Sequence, residues 1–287
     1  MKHTAAIVGA GRVGRSLGQH LRQLDWRIGA VVTRSDATAR RAVRAIGEGR
    51  AQNKIGRNIL DADLVILAPP DSEIPGIAKQ LADVGREEWI GKIVLHTSGA
   101  LDSSVLGPLA KWGAATGSMH PMQTFVGRGA PSLERVVFAI EGDKRARRVA
   151  RRIARGLGAF AVPIMGSAKP AYHAAGALVA GHGLALVEAG VRLLMDAGFS
   201  RRRAKAALLP LIRQMLTNFE RFGAREAWTG PISRGDYLTV ARHRHALSNW
   251  PAEYLQAYAA LARLSARVLA SHPKQVLRRI KQVLPGR

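Results

Sequence analysis

Short apolar runs alternate with segments of helical periodicity through roughly the first 165 residues of the chain. An apolar run bounded by turn residues predicts a strand, whereas apolar positions three and four residues apart predict a helix. The predicted strands are Ala5–Val8, Ile28–Thr33, Leu64–Ala68, Lys92–His96, Ala114–Ser118, Val136–Ile140 and Ala159–Ile164. The predicted helices are Val13–Leu24, Ala37–Ile46, Ile74–Leu81 and a basic helix from Lys144 to Arg155. This alternation predicts a doubly wound, mainly parallel α/β sheet.

The pattern changes after residue 165. From Pro170 onward the chain is rich in Ala, Leu and Arg, and helical spacing replaces strand patterns. A long, largely buried helix is predicted to end near Gly198, with apolar positions at Leu178, Leu184, Leu186, Val187, Val191, Leu194 and Met195. Further helices are predicted at Arg201–Phe222, Leu238–Leu247, Ala252–Ser271 and Lys274–Val283. We therefore expect an α/β domain over residues 1–165 and an all-α C-terminal domain over residues 166–287.

A glycine motif, GAGRVG from Gly9 to Gly14, follows the first predicted strand and opens the first helix. In this context Gly9 permits a tight turn, Gly11 lets the backbone approach a pyrophosphate, and Gly14 allows close packing of helix on strand. The N–H groups at the helix start, at Arg12 and Val13, and the helix dipole favour a diphosphate. The motif predicts a dinucleotide-binding Rossmann domain, and the alternative is a glycine-rich turn without a ligand.

The end of the second predicted strand distinguishes NADP from NAD. An acidic residue there binds the ribose 2′-hydroxyl of NAD, whereas an arginine accommodates the 2′-phosphate of NADP. The chain has Thr33-Arg34-Ser35, with the first carboxylate only at Asp36. Arg34 offers a fork that suits phosphate, and Ser35 adds a hydroxyl donor. We predict NADP as the cofactor in preference to NAD, the alternative being that Arg34 is an exposed loop residue.

Six further segments carry a resemblance to a known family over nearly the whole chain. Together with Gly9 to Gly14 they are Leu67 to Asp71, His96 to Ala100, Ser118 to Met122, Lys169 to His173, Gly230 to Asp236, and His243. With these segments the chain resembles the two-domain Rossmann-like/DUF2520 proteins, which are related to 6-phosphogluconate and β-hydroxyacid dehydrogenases, pyrroline-carboxylate reductases and prephenate dehydrogenases. The resemblance implies a Rossmann domain, a helical dimerisation domain and a site between them, hence a homodimer. The chain departs from the expected pattern at Gly181, where an Asn is expected.

Two segments that leave strand ends are expected to face the cofactor, because ligands of doubly wound sheets bind beyond the carboxyl ends of the strands. Pro69 and Pro70 form a rigid turn expected to pass the riboses. Ser98 is expected near the nicotinamide, where its hydroxyl would bind the substrate or the cofactor amide. The alternative for Ser98 is a helix N-cap or turn residue.

His120 precedes Pro121-Met122, a sequence similar to the His-Pro-Met of prephenate dehydrogenases, in which a His near the nicotinamide contacts the substrate. That resemblance implies a site role for His120. The alternative is a structural His bonded to the backbone.

Lys169 stands before Pro170, which suits the first position of a helix, so Lys169 is predicted outside the helix and His173 in its first turn. In β-hydroxyacid dehydrogenases, a Lys with an Asn four residues later transfers a proton at this junction. Here the corresponding pair is Lys169 and His173. Neighbouring cations would lower the pKa of Lys169, and His titrates near neutral pH, so either is a candidate acid–base. The alternative is a buried His bonded to a carbonyl.

The turn-rich segment from Gly230 to Asp236 is unusual in a helical domain unless it has a specific position. The loop is predicted to reach over the cleft, either within one chain or from a dimer partner. Arg234 is predicted to bind a substrate carboxylate or phosphate there. Asp236 is predicted to orient His243. The alternative is a structural Arg–Asp–His network.

Composition limits the partners. The 287 residues include 44 basic and 20 acidic residues, for a formal net charge of +24, and no cysteine. Such a charge attracts anions in general. The basic cluster from Lys144 to Arg155 is interpreted as the solvated face of an amphipathic helix. Aromatic residues, on which the bases of single-stranded nucleic acids stack, make up only 5% of the chain. Nucleic-acid binding is therefore the less favoured interpretation of the basic charge. No His/Asp group has metal-ligand spacing, so no metal is expected.

Targeting signals are not expected either. The start of the chain is interpreted as a strand because its apolar run is short and leads straight into Gly9. The apolar stretch from Ala174 to Val187 is interrupted by His182 and is interpreted as too short to cross a bilayer. We expect a cytoplasmic protein without a membrane segment.

These residues together predict an NADP-dependent oxidoreductase that transfers a hydride between NADP(H) and a small anionic carbonyl, imine or hydroxy-acid substrate. Lys169 or His173 would be the acid–base, with Ser98, His120 and Arg234 positioning the substrate. The alternative is a non-catalytic protein that binds or senses NADP.

Overall fold

A computed structural model describes residues 3–127 and 129–284. The chain divides into two compact units, residues 1–181 and residues 182–287. This division lies later in the chain than the predicted boundary near residue 165. The reason is that the segment after the last strand is tied to the sheet of the first unit, through Lys169 in particular.

The first unit contains one sheet of eight strands, in the spatial order β3-β2-β1-β4-β5-β6-β7-β8. The strands are β1 Thr4–Val8, β2 Arg27–Val32, β3 Arg50–Gln52, β4 Leu64–Leu67, β5 Ile93–His96, β6 Ala115–Pro121, β7 Val137–Gly142 and β8 Phe160–Pro163. Every neighbouring pair is parallel except β6 and β7, so the predicted mainly parallel α/β sheet is confirmed.

The sequence pattern missed β3. This strand has three residues, Arg-Ala-Gln, at the edge of the sheet, and none of them is fully buried. An edge strand this short has no apolar run to reveal it. Strand β3 pairs with β2, and Gln52 of β3 lies opposite Val32 of β2.

Helices cover both faces of the sheet in this unit. They are α1 Arg12–Gln23, α2 Asp36–Ile46, α3 Ile74–Gly85, the short α4 Gly107–Ala110, α5 Lys144–Gly156 and α6 Lys169–Gly176, followed by a π-helical segment Ala177–His182. Successive side chains of β1 alternate between two apolar clusters: Ala5 and Ile7 join one, Ala6 and Val8 the other. Burial on both faces explains why the strand is apolar throughout.

Helix α5 is the predicted basic helix. Its apolar side is buried in the core, as Ala146, Ala150 and Ile153 show, while Arg148 and Arg152 are exposed. The interpretation as an amphipathic surface helix is therefore confirmed.

The second unit is helical: α7 Gly183–Asp196, α8 Arg201–Glu226, α9 Tyr237–Leu247, α10 Ala252–Leu269 and α11 Pro273–Val283. The all-α character predicted for the C-terminal region is confirmed. Its buried cluster is small and comes from α9, α10, α11 and the following residue, with members Val240, Ala259, Ala262, Ala266, Ile280 and Leu284.

The prediction that the long helix is largely buried was wrong. Within α7 only Val191 is buried, and Leu184 is 70% exposed. Its apolar positions do recur at helical spacing, but Leu178, Leu184 and Leu186 are exposed, and Val187 and Leu194 are only partly covered within the described chain.

The helical stretch Gly166–Asp196 is also long enough and apolar enough to cross a membrane by length and composition, and an 18-residue window within it has a mean hydropathy of 1.5. The apolar stretch from Ala174 to Val187, interpreted from the sequence as too short to span a bilayer, therefore lies within a longer helical segment. Lys169 and His173 extend the helix on the N-terminal side without ending it.

Candidate functional site

A cavity of about 740 Å³ lies beyond the carboxyl ends of β1, β2 and β4. The strand order reverses direction there, between β1 and β4, which is where doubly wound sheets bind nucleotides. Its lining comes from the glycine turn, the end of β2, the segment after β3, the turn after β4 and helix α3. The lining residues are Val8 to Gly11, Val32 to Ser35, Thr38, Asn53 to Ile55, Ala68 to Pro70, Glu73, Ile77 and Gln80.

Gly9 and Gly14 stand at positions that require glycine, as the sequence predicts. Gly9 has a φ of +86°, and a Cβ there would lie 2.3 Å from the Pro69 nitrogen. A Cβ on Gly14 would lie 2.6 Å from the Gly9 carbonyl oxygen, so close helix–strand packing requires glycine there. At Gly11 a Cβ would meet nothing within 4 Å, so open space adjoins this backbone on the cavity side.

Arg12 and Val13 are the first residues of α1. They are not among the residues that line the cavity, and Val13 packs its side chain against the apolar core. Any contact of these two residues with a diphosphate would therefore be made by backbone N–H groups at the helix start.

Thr33, Arg34 and Ser35 line the cavity where β2 ends. Ser35 caps α2 through its hydroxyl, which accepts from the Thr38 N–H. Arg34 is highly exposed and forms an ion pair with Glu73, at 3.5 Å. A surface pair of this kind contributes little stability and can be exchanged for another anion.

Sequence reasoning missed Asn53, Lys54 and Glu73, which line the same cavity. The register of β3 on β2 explains the first two: Gln52 is the last paired residue, and its carbonyl accepts from the Thr33 N–H. Adjacent parallel strands end at the same edge of a sheet. Had β3 been recognised in the sequence, Asn53 and Lys54 would therefore have been expected beside Thr33 and Arg34.

The Asn53 amide donates to the carboxylate of Asp36 at 3.2 Å. That contact engages the first carboxylate after β2. Lys54 forms no hydrogen bond or ion pair with the rest of the described chain, so its charge is available to the cavity.

Next along the sheet, Ser98 uses its hydroxyl to build a turn. Its Oγ donates to Asp71 Oδ2 at 2.7 Å and accepts from the N–H groups of Ala100 and Leu101. This hydroxyl has no hydrogen left to donate to a ligand. The structure thus shows the turn role that the sequence left open as the alternative for Ser98.

Lys169 is fully buried and connects α6 to two strand ends. Its Nζ donates to the Ser98 carbonyl oxygen at 2.9 Å and to Ser118 Oγ at 2.7 Å. Ser118 Oγ in turn donates to Glu141 Oε2 at 3.4 Å, and that carboxylate is also held by Ser103. The amine therefore points into the protein rather than towards a ligand.

The structure corrects two expectations for Lys169. The helix begins at Lys169 itself, so this residue is not outside it and His173 falls after the first turn. The pKa of Lys169 is lowered to about 8, but burial is the main cause, and the charges that act on it, those of Glu141, Asp71 and Asp102, are carboxylates that oppose the shift. Neighbouring cations are not the cause.

His120, Tyr172 and His173 form a cluster of rings over Gly99. The ring centroids of His120 and Tyr172 are 5.4 Å apart and those of His120 and His173 are 5.7 Å apart, both edge to face. A Cβ on Gly99 would lie 2.7 Å from His173 Cδ2 and 2.9 Å from His120 Nε2. The turn after β5 therefore needs a glycine for these two histidines to come so close.

Tyr172, which the sequence did not single out as a site residue, sets the orientation of His120. Its hydroxyl donates to the His120 carbonyl oxygen at 3.3 Å and lies 3.0 Å from Nδ1. In that arrangement Nδ1 carries the hydrogen and Nε2 is left as an acceptor on the side of Gly99. Tyr172 directly precedes His173 in α6. The sequence gives no sign that Tyr172 contacts His120, because this contact forms only where α6 packs against β6.

The electrostatics keep His120 and Tyr172 neutral near pH 7. Burial, helped by the charges of His173 and Lys169, lowers the pKa of His120 to about 4. Burial also raises the pKa of Tyr172 to about 12. His173 itself is exposed, so it is the member of the cluster that solvent and a ligand reach.

The predicted residues of the second unit do not form the network that the sequence suggested. Asp236 caps α9, accepting from the N–H and the hydroxyl of Thr239. His243 Nδ1 instead lies 2.9 Å from the hydroxyl of Tyr258. The prediction that Asp236 orients His243 is therefore wrong, because the carboxylate is already used as an N-cap. Arg234 is exposed in the loop before α9.

No group of three or more His, Cys, Asp or Glu residues within residues 3–127 and 129–284 is arranged to hold a metal ion.

Two family models match the chain. The Rossmann-like domain matches residues 2–121, and DUF2520, a domain of unknown function, matches residues 136–265. No curated protein matches the chain.

Several solved structures share the fold. A protein from Bacteroides fragilis, whose inferred activity is that of an NADP oxidoreductase, has a TM-score of 0.75 at 21% identity, covering 91% of this chain and 97% of that one. An imine reductase from Pseudomonas sp. has a TM-score of 0.66 at 17% identity, covering 98% and 100%. Prephenate dehydrogenase from Aquifex aeolicus, in complex with hydroxyphenyl propionate and NAD⁺, has a TM-score of 0.51 at 16% identity, covering 85% and 98%. At these identities the likeness shows the fold.

The buried amine of Lys169 should make stability depend on pH. Because its pKa falls from the ordinary 10.5 to about 8, the folded protein binds fewer protons than the unfolded chain between those values. The free energy of unfolding should therefore rise with pH across that window, by about 3 kcal/mol in total at about 1.4 kcal/mol per pH unit. Denaturant unfolding of the wild type and of Lys169→Met at several pH values measures it. The variant should lack this increment, and equal pH dependence in both proteins would show that Lys169 keeps its ordinary pKa.

Proposed function

Because the chain belongs to the proteins that combine a Rossmann-like domain with a DUF2520 domain, we propose that it is an NADP-dependent oxidoreductase. The reaction is hydride transfer between NADP(H) and a small anionic carbonyl, imine or hydroxy-acid substrate. One observation carries this proposal: the glycine turn from Gly9 to Gly14 and the cation Arg34 adjoin a single cavity where the strand order reverses.

The residues present fit a dinucleotide. The open space beside Gly11 leaves room for a pyrophosphate, and the uncapped start of α1 offers N–H groups to it. The volume of about 740 Å³ lies within the range of small-molecule sites, about 300–1,000 Å³. When bound, the nicotinamide supplies the hydride or accepts it.

Two cations support NADP over NAD. Arg34 and Lys54 lie at the ends of the neighbouring strands β2 and β3, and both line the cavity with the hydroxyls of Ser35 and Thr38. Asp36, the carboxylate that would otherwise favour a 2′-hydroxyl, accepts a hydrogen bond from Asn53. In the proposed complex the 2′-phosphate replaces Glu73 as the ion-pair partner of Arg34, and Lys54 provides a second positive charge. NAD, the cofactor bound by the prephenate dehydrogenase of similar fold, is the competing choice.

The proton is assigned to His173. Of the two acid–base candidates, Lys169 has its amine buried between Ser98 and Ser118, whereas His173 is exposed next to His120 and Gly99. His173 donates or accepts the proton of the reacting oxygen or nitrogen. His120, kept neutral and oriented by Tyr172, offers Nε2 to the substrate as a hydrogen-bond acceptor. Lys169 acts as a positioning residue that holds the Ser98–Gly99 turn.

A non-catalytic protein that binds or senses NADP is the second candidate. The observation in its favour is that the Ser98 hydroxyl and the Lys169 amine, two groups that the sequence offered for chemistry, are both engaged within the protein. Such a protein binds NADPH but supports no turnover.

A homodimer is proposed from the exposed apolar side of α8. Of its 26 residues only Ala204 is buried, and Leu211, Met215, Phe219 and Phe222 recur at four- and three-residue spacing, each at least half exposed. An apolar row of this size marks a protein interface. A second copy of the chain covers it, and with this face buried in a dimer the protein is proposed to be cytoplasmic.

Cofactor binding tests the proposal first. We expect the purified protein to bind NADPH more tightly than NADH in a fluorescence titration. Arg34→Ala and Lys54→Ala should each weaken NADPH binding about tenfold or more, since each removes a charge-assisted contact to the 2′-phosphate. NADH binding should change little in both variants.

Arg44→Ala is the matched control. It removes the same charge from α2, and the exposed Arg44 is not among the residues that line the cavity. If the wild type binds neither nucleotide, the glycine turn is structural and the oxidoreductase proposal fails. If Arg44→Ala weakens NADPH binding as much as Arg34→Ala, general charge rather than a 2′-phosphate site is responsible.

Turnover separates the enzyme from the binding protein. With a panel of small anionic carbonyls and imines, NADPH oxidation should be measurable in the wild type. In His173→Gln, kcat should fall about 10²- to 10⁴-fold, the usual contribution of an acid–base group, while NADPH affinity stays the same. His245→Gln, at an exposed histidine of α9, should retain full activity. NADPH binding without turnover on any member of the panel would favour the non-catalytic candidate.

Sedimentation tests the dimer. The wild type should sediment as a dimer in aqueous buffer. The double variant Leu211→Glu/Phe219→Glu should sediment as a folded monomer, because it places two charges in the buried interface. A monomeric wild type, or a wild type that stays in solution only with detergent, would rule out this dimer.

A further inference from the structure

We propose that the second unit contains an anion-binding site of its own, which takes a small molecule with an apolar body and one carboxylate or phosphate group. The site is a cavity of about 580 Å³ between the end of α8, the loop before α9 and the start of α11. It is lined by Arg225, Trp228, Ile232 to Gly235, Tyr237, Leu269 to His272, Gln275, Val276 and Arg279. The proposal does not rest on the oxidoreductase activity.

Three arginines and one histidine line this cavity, and no Asp or Glu among the described residues does. Arg225, Arg234 and Arg279 come from three separate segments, and His272 stands at the start of α11. None of the three arginines forms an ion pair or a side-chain hydrogen bond with another described residue. Arg234 helps to lower the pKa of Asp236, but that carboxylate is occupied as the cap of α9.

Like charges brought together in this way repel one another, and a bound anion removes the repulsion. The start of α11 adds to the effect. No side chain caps this eleven-residue helix, so the positive end of its dipole is free to act on an anion.

The loop is built to keep its shape. Gly230 and Gly235 have φ values of +119° and +74°, which few residues other than glycine adopt. Between them, the Ser233 hydroxyl donates to the Gly230 carbonyl at 2.8 Å, and the Asp236 N–H donates to the Pro231 carbonyl at 2.8 Å. A loop closed by its own hydrogen bonds and by the cap of α9 holds Arg234 in place before any ligand arrives.

The rest of the lining is apolar and aromatic. Trp228, Ile232, Leu269 and Val276 present hydrocarbon surface, and Tyr237 adds a ring. A bare inorganic ion leaves this surface wet, whereas a ligand with an aromatic or aliphatic body covers it. The cavity volume is also that of a small-molecule site rather than of a single ion.

Arg234 was predicted from the sequence as a contact for a substrate anion. The structure places two further arginines at the same cavity, Arg225 and Arg279, neither of which the sequence singled out as a site residue. Tertiary structure brings α11, which carries Arg279, beside the end of α8 and the loop before α9.

Trp228 supplies a local reporter for the test. The full-length protein, without nucleotide and at constant ionic strength, is titrated with phenyl phosphate, phenylacetate and the uncharged benzyl alcohol while tryptophan fluorescence is recorded. We expect saturable binding of at least one of the two anions and none of benzyl alcohol. The tighter of the two anions identifies the preferred head group. In Trp228→Phe the fluorescence change should disappear.

Arg234→Ala and Arg279→Ala should each weaken binding about tenfold or more, since each removes a charge-assisted contact. Arg213→Ala, which removes the same charge from an exposed position of α8 outside the cavity, is the matched control and should bind as the wild type does. Circular dichroism confirms that each variant is folded.

The proposal is overturned if neither anion gives a saturable signal, if benzyl alcohol binds as well as the anions, or if Arg213→Ala loses as much affinity as Arg234→Ala. It is also overturned if the signal persists in Trp228→Phe. A failure here leaves NADPH binding in the first unit untouched, and a protein that binds no nucleotide can still bind these anions. The two proposals therefore fail separately.

Discussion

The buried amine of Lys169 holds together the strand ends and helix around Gly99 in the first unit. Lys169 is the first residue of α6, and its two hydrogen bonds reach the turn after β5, at Ser98, and the strand β6, at Ser118. Burial is the main reason that the pKa of this amine is lowered to about 8. Because this link places α6 against the strand ends, Tyr172 and His173 come to lie over Gly99 and beside His120.

A second constraint is electrostatic and lies at the cavity beyond the carboxyl ends of β1, β2 and β4. With one carboxylate bound by Asn53 and another paired to Arg34, the positive charge of Lys54 is left without a partner in the described chain. The chain as a whole carries +24, so most of its surface attracts anions without selecting among them. Selection needs a cavity with fixed geometry. The cavity proposed for NADP in the first unit and the cavity around Arg234 proposed as an anion site in the second are the two places considered for such selection.

The second unit has a small buried core and an exposed apolar side on α8. That core contains few large side chains, while Leu211 and Phe219 face outward. Long helices gain most of their stability from the burial of one face, and α8, with only Ala204 buried, gains little of it within the described chain. A dimer partner supplies that surface in the arrangement proposed above.

Local sequence determined the alternation of strands and helices, the glycine turn and the cation at the end of β2, because each depends on neighbours a few residues away. It also predicted a helix that contains His173, although it placed Lys169 outside that helix, whereas the structure begins the helix at Lys169. Tertiary structure decided the rest. It buried Lys169 and left His173 exposed, engaged the Ser98 hydroxyl with Asp71, paired His243 with Tyr258 and brought Lys54 beside Arg34. The physical reason is that burial and hydrogen-bond partners come from segments that are distant in sequence, and local periodicity carries no information about which of them will meet.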